Sequence, residues 1–69
     1  MTYDERRLPM EKLTRMEKRL AVYLLNGESR GEIARALRLS ENTVKSHTRN
    51  IYRKTEVKNQ KMFMAKYLM

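Results

Sequence analysis

Five side chains between positions 42 and 53 could do chemistry together: Asn42, Lys45, Ser46, Arg49 and Arg53. Wound as a helix, the stretch puts them on one side and Val44, Thr48 and Ile51, at i, i+4 and i+7, on the other. His47 and Thr55 stand at the edges of the apolar side. An amide, a hydroxyl and three long cations in a row are donors suited to base edges and phosphate oxygens. The Arg49 guanidinium is a planar fork that matches the O6 and N7 acceptors of guanine. Lys45, one turn earlier, reaches the same groove as a point charge, and Ser46 donates or accepts at short range. Arg30, Ser40 and Asn42 fall near expected helix starts, where backbone amides favour an anion. Arg53 and Lys54 lie farther along and suit the sugar-phosphate backbone.

Such a row works only if other elements hold its helix with that side outward. Ser29 with Glu32 three residues on is a capping box, so a helix is expected over 30–37, with Ile33, Ala34 and Leu37 on one face. Leu39 points inward from the turn, and Ser40 caps the helix over 41–55. About three residues separate the two helices, which is helix-turn-helix spacing over about residues 29–49. Upstream, Thr14 and Glu17 form a second capping box, with Leu13 as a hydrophobic staple, and predict a helix over 14–26. Its stripe is Met16, Leu20, Tyr23 and Leu24, extended by Ala21 and Leu25. Gly27 comes next as a residue free to take positive φ. Downstream, Val57 anchors the connection and Asn59 caps a last helix over 60–68. Phe63, Met64 and Tyr67 form its stripe, with Met62 and Leu68 at the edges. Part of that surface is expected to pack on the first helix and part to pair with a second copy.

The expected fold is therefore all-α, a compact four-helix domain with a central helix-turn-helix over 13–69. Residues 1–12 lack a clean period and read as a flexible arm or linker, with Arg6 and Arg7 solvated. Sixty-nine residues make one small domain with a modest core. The net charge is +8 and unevenly placed. From Asn42 to Met69 seven Lys or Arg stand against one acid, Glu56; from Met1 to Glu41 nine stand against seven. A positive field concentrated on one helix and the segment after it is the footprint of a nucleic-acid binder. The chain has no cysteine and one histidine, so neither disulfides nor a thiolate metal site is available, and no metal or cofactor is expected. His47 reads as a packed, hydrogen-bonded histidine that also contacts phosphate. No Ser-His-Asp, Cys-His, paired-carboxylate or glycine-rich phosphate pattern is present, so the chain is not expected to be an enzyme. No run approaches 18 apolar residues, and the last helix is too short for strong binding at a membrane surface. No membrane partner is expected.

The residues Leu13-Thr14, Glu17, Gly27, Glu32-Ile33-Ala34, Leu37, Leu39-Ser40, Thr43-Val44-Lys45, His47, Asn50-Ile51, Lys54 and Val57 carry a resemblance. Over about Leu13 to Leu68 the chain resembles the LuxR-type helix-turn-helix domain, also found in the sporulation regulator GerE and in NarL-type response regulators. The run Thr-Val-Lys-x-His-x-x-Asn-Ile-x-x-Lys is more than a generic helix-turn-helix requires. The resemblance implies a cytoplasmic bacterial transcriptional regulator that binds double-stranded DNA, with residues 41–55 as the recognition helix in the major groove. It implies bases read from Lys45, Ser46 and Arg49, and backbone contacts near Thr43, His47 and Lys54. It also implies a homodimer on DNA through the last helix, for which Met62, Phe63, Lys66 and Tyr67 are the candidates. Such domains are usually the C-terminal output module of a larger regulator, so an N-terminal sensor or receiver domain and RNA polymerase are candidate partners.

The chain departs from the family pattern at Met16, Arg19, Gly31 and Gln60. Phe63 and Tyr67 fill positions that are usually small, which should change how the last helix packs. Two rival readings stand beside this one: a promoter-binding module like sigma-factor region 4, and a basic adaptor that grips an acidic protein. Competition by unrelated DNA should leave an adaptor's activity intact, and the Thr43–His47 run separates the LuxR-type reading from the sigma-like one.

Overall fold

A computed structural model of the chain describes residues 12–68. The expected N-terminal arm, with Arg6 and Arg7, lies outside the described residues apart from Lys12. Among the described residues four helices run in order: α1 (Arg15–Leu25), α2 (Arg30–Leu37), α3 (Glu41–Thr55) and α4 (Gln60–Tyr67). The all-α architecture is the one the sequence predicts. The expected bounds 14–26 and 60–68 shorten because Thr14, Asn26 and Leu68 are caps rather than helical residues.

Each helix begins on a side chain that occupies an otherwise unpaired amide. Thr14 Oγ1 accepts the Glu17 N–H at 3.1 Å, and the Glu17 carboxylate accepts the Thr14 N–H at 2.9 Å. Ser29 and Glu32 repeat this reciprocal pair. Ser40 Oγ accepts the Thr43 N–H at 3.1 Å, and Asn59 Oδ1 accepts the Met62 N–H at 2.8 Å.

The ends of α1, α2 and α3 share one device. Gly27, Arg38 and Glu56 all take the left-handed conformation, with φ of 80°, 57° and 59°. The next amide then bonds five residues back: Glu28 to Tyr23 O, Leu39 to Ala34 O and Val57 to Tyr52 O, at 3.2, 2.9 and 3.0 Å. These are Schellman closures, which turn the chain sharply and drop the next residue onto the core. Leu39 and Val57 are delivered inward this way. Only the glycine is legible in the sequence as such a closure, because Arg and Glu are poor left-handed residues.

Leu20, Leu25, Ile33, Val44, Ile51 and Phe63 are the largest fully buried side chains. α3 packs against α1 and α2, and α4 packs against α1. Phe63 and Tyr67 belong to this core, at 0% and 5% exposure. Their ring centroids lie 5.2 Å apart, edge to face, and Phe63 lies 5.8 Å from the Tyr52 ring. This corrects their expected place at a dimer interface: both rings are turned inward within one chain, where α4 packs against the rest of the core. The Gln60 amide donates to Leu24 O and Glu28 O, both at 3.0 Å, and so ties the start of α4 to the end of α1.

Candidate nucleic-acid interface

α3 divides cleanly by exposure. Val44, Ile51 and Thr55 are buried, whereas Asn42, Lys45, Ser46, Arg49 and Arg53 are exposed. From Lys45 to Arg53 the cations recur every fourth residue, a rise of about 12 Å along the helix. The helix cannot roll to hide them, because Val44 and Ile51 are locked beneath it at 1% and 0% exposure.

Its two ends are also fixed. At the N-terminus, Ser40 Oγ and Thr43 Oγ1 lie 2.8 Å apart in addition to the backbone cap, so both hydroxyls are engaged in starting the helix. At the C-terminus, Thr55 Oγ1 donates to Ile51 O at 2.7 Å, and the Lys66 ammonium donates to Thr55 O at 2.6 Å. A cation on a terminal carbonyl is favoured by both the free acceptor and the helix dipole. Lys66, expected at a dimer interface, thus has a job within one chain, and its Nζ also stands 5.6 Å from the Tyr67 ring centroid. Of the four residues expected at that interface, Met62 is the exposed large apolar one, at 42%.

Lys54 departs from the expected phosphate role. Its Nζ lies 2.7 Å from Glu17 Oε1, with the carboxylate side chain only 4% exposed. Burial alone would raise the Glu17 carboxyl; the Lys54 ammonium and the Thr14 N–H outweigh it and hold the group below its ordinary value of 4.5. The pair bolts the first turn of α1 to the last turns of α3. A signal was present in the sequence: Glu17 sits at i+4 from Leu13 on the stripe that continues to Leu20 and Leu24, and a carboxylate on a buried stripe needs a cation. His47 is half-buried and, among the described residues, its ring makes no hydrogen bond, which revises the hydrogen-bonded reading.

Tertiary structure gathers Arg30, Lys45, Arg49 and Arg53 around one groove of 540 Å³, and adds Lys58, which sequence reasoning counted only as charge. Among the described residues Glu28 is the single acid that lines the groove. Arg30 reaches the groove from the first residue of α2 and Lys58 from the α3–α4 connection. Ser40, Asn42, Thr43, Ser46 and His47 are not part of its lining. The arrangement can engage an extended polyanion: a straight, outward row of donors flanked by one cation from the start of α2 and one from the α3–α4 connection.

Comparison with known proteins agrees with this geometry. Residues 11–65 match the GerE pattern, described as bacterial regulatory proteins, luxR family. The chain is 51% identical over 47 residues to the CsgBAC operon transcriptional regulatory protein of Escherichia coli (strain K12), covering 68% of this chain and 22% of that protein. It is 40% identical over 68 residues to the uncharacterized transcriptional regulatory protein YhcZ of Bacillus subtilis (strain 168), covering 94% and 32%. With the probable transcriptional regulatory protein SgaR of Hyphomicrobium methylovorum it shares 42% over 57 residues, covering 83% and 27%. The chain thus spans a third or less of the length of these relatives. No solved structure matches it. A helix-turn-helix whose second helix turns its cations outward, over a stretch matched almost end to end, places this chain in the luxR family of bacterial regulatory proteins, as a DNA-binding helix-turn-helix domain.

Proposed function

We propose that this domain reads a specific duplex sequence by laying α3 in the major groove, as the output part of a cytoplasmic transcriptional regulator without catalytic activity of its own. The observation that carries the reading is the exposed row Lys45, Ser46, Arg49 and Arg53 on a helix pinned from beneath by Val44 and Ile51. Arg49 and Lys45 take base acceptors, Arg49 with a bidentate fork to guanine. Ser46 adds a short-range contact. Arg30, Asn42 and Arg53 meet phosphates to either side, and the helix start at Ser40 and Thr43 offers backbone amides to another. His47, at the rim, approaches the same strand.

On a site with two-fold symmetry, two copies meet through the exposed strip of α4 around Met62, with half-sites about one helical turn apart. That strip also carries Lys61 and Lys66 and has little apolar surface, so pairing depends on DNA. The relatives are three or more times longer than the matched region, which supports a sensor or receiver domain on the N-terminal side of the domain in the whole regulator. RNA polymerase is the partner through which a bound regulator of this kind would act.

Selection of bound duplexes from a random pool tests the reading. The expected outcome is an enriched motif containing a G in each half-site and a binding constant that falls steeply with salt, by a slope of about −0.9 per phosphate neutralised. A pool that stays unenriched while still binding would remove the sequence-reading role. Sedimentation of the chain alone and on the selected duplex tests pairing; one chain per duplex would exclude it.

A further inference from the structure

The groove beside α3 has a floor that the DNA reading does not use. Its base is the half-buried Tyr52 ring; Leu24, Ile33 and Val57 also line it, but at 3%, 0% and 9% exposure they offer almost no surface of their own. Among the described residues its rim holds five cations, Arg30, Lys45, Arg49, Arg53 and Lys58, against one acid, Glu28. Among the described residues, the one ion pair is Lys54 with Glu17, so none of the five rim cations is neutralised by a partner there. A phosphate backbone would engage the rim and leave the Tyr52 ring uncovered. The volume, 540 Å³, falls within the range of small-molecule sites, roughly 300–1,000 Å³.

We infer that this groove binds a compact organic anion with a flat apolar body, an aryl carboxylate, sulfonate or phosphate ester, and that such a ligand competes with DNA. The apolar body stacks against Tyr52 and the aliphatic stems of the rim cations, while the anionic head takes their charged ends. The Tyr52 ring is packed against the core and is therefore preformed; the rim is built from long side chains that can close over a bound molecule. The Gln60 amide, spent on Leu24 O and Glu28 O, holds the α1 and α4 sides of the groove together. Competition arises because Lys45 and Arg49 cannot serve the ligand head and the base edges at once. The competition rests on the DNA reading above; occupation of the groove does not.

The probe is naphthalene-2-sulfonate titrated into the ¹⁵N-labelled chain. The expected result is saturable one-to-one shifts confined to amides around the groove, including Ile33, Thr48, Tyr52 and Val57. Lys58→Glu should weaken binding about tenfold, one charge-assisted contact having been lost and reversed. Arg35→Ala, an exposed cation on α2 outside the groove, should leave it unchanged. Sodium sulfate at equal concentration should not displace the probe, since it lacks the apolar body. Scattered shifts, indifference to Lys58→Glu, or release of the probe by equimolar sulfate would overturn the site. Saturating duplex of the selected sequence should release the probe; a probe that stays bound on the DNA complex would overturn the competition. DNA binding measured without probe separates the two readings: its loss would remove the DNA role and leave the titration standing.

Discussion

Glu17 and Lys54 are 37 positions apart, yet their 2.7 Å contact decides which of two adjacent cations faces solvent. Arg53 points outward; Lys54 turns under and becomes a tie between α1 and α3. Replacing Lys54 with Met should therefore cost stability, roughly 1–3 kcal/mol for a hydrogen bond to a charged group. It should leave the salt slope of DNA binding unchanged, whereas Arg53→Ala should lower that slope by about one. Chemical denaturation and a salt titration distinguish the two. The same pair gives a pH dependence. A carboxyl held below its ordinary 4.5 stabilises the fold fully above that value, and the stabilisation is lost as pH falls through the folded pKa. The wild-type chain should lose stability below about pH 4.5, and Lys54→Met should show a shallower acid limb. Some slope remains in the variant, because Glu32 is also held low, first by the Ser29 N–H. Arg49→Ala should cost ~1–3 kcal/mol on the selected duplex and much less on unrelated DNA, relaxing the preference at one position. Equal losses on all sequences would move Arg49 from base reading to phosphate contact.

α2 carries its two glycine questions the wrong way round. Gly31 sits in the first turn, where no positive φ is required, and a Cβ there would meet the Glu41 carboxylate at 3.6 Å, an ordinary contact. Arg38 sits where glycine would be at ease, with φ of 57°. Gly31→Ala should stabilise the helix by about 0.5–1 kcal/mol. Arg38→Gly should add about 1 kcal/mol by releasing left-handed strain. Both are read as denaturation midpoints. Neither change touches Lys45, Ser46, Arg49 or Arg53, so DNA affinity should be retained in both. A drop in stability for Arg38→Gly would mean that its side chain contributes more than the strain it bears.

For the whole molecule, the small core sets the margin. A domain of this length holds a net stability of only about 3–5 kcal/mol. Phe63 is fully buried between Tyr52 and Tyr67, and Phe63→Ala should cost about 3–5 kcal/mol. The variant should be largely unfolded at 25 °C, seen as lost helical ellipticity and lost DNA binding together. Met62→Ala, one residue away but 42% exposed, should fold normally and affect only pairing on DNA. The contrast separates two neighbours that the sequence alone places together at a dimer interface.

The sequence by itself determined the helices, their starts and the outward side of α3. Those features are local: a hydroxyl or amide before a helix meets an amide two or three residues on, and apolar spacing picks the buried face whatever lies beneath it. Ser29, Ser40 and Asn59 could be read without knowing any partner. Tertiary structure alone decided where Lys54, Phe63 and Lys66 point, because each meets a group on another helix. It also decided that Lys58 joins the cations of α2 and α3 around one groove, and that Arg38 and Glu56 accept a left-handed turn so that Leu39 and Val57 reach the core. A cation's position on a helical wheel says which way it leaves the backbone; whether it meets a buried carboxylate, a terminal carbonyl or open solvent depends on what packs there.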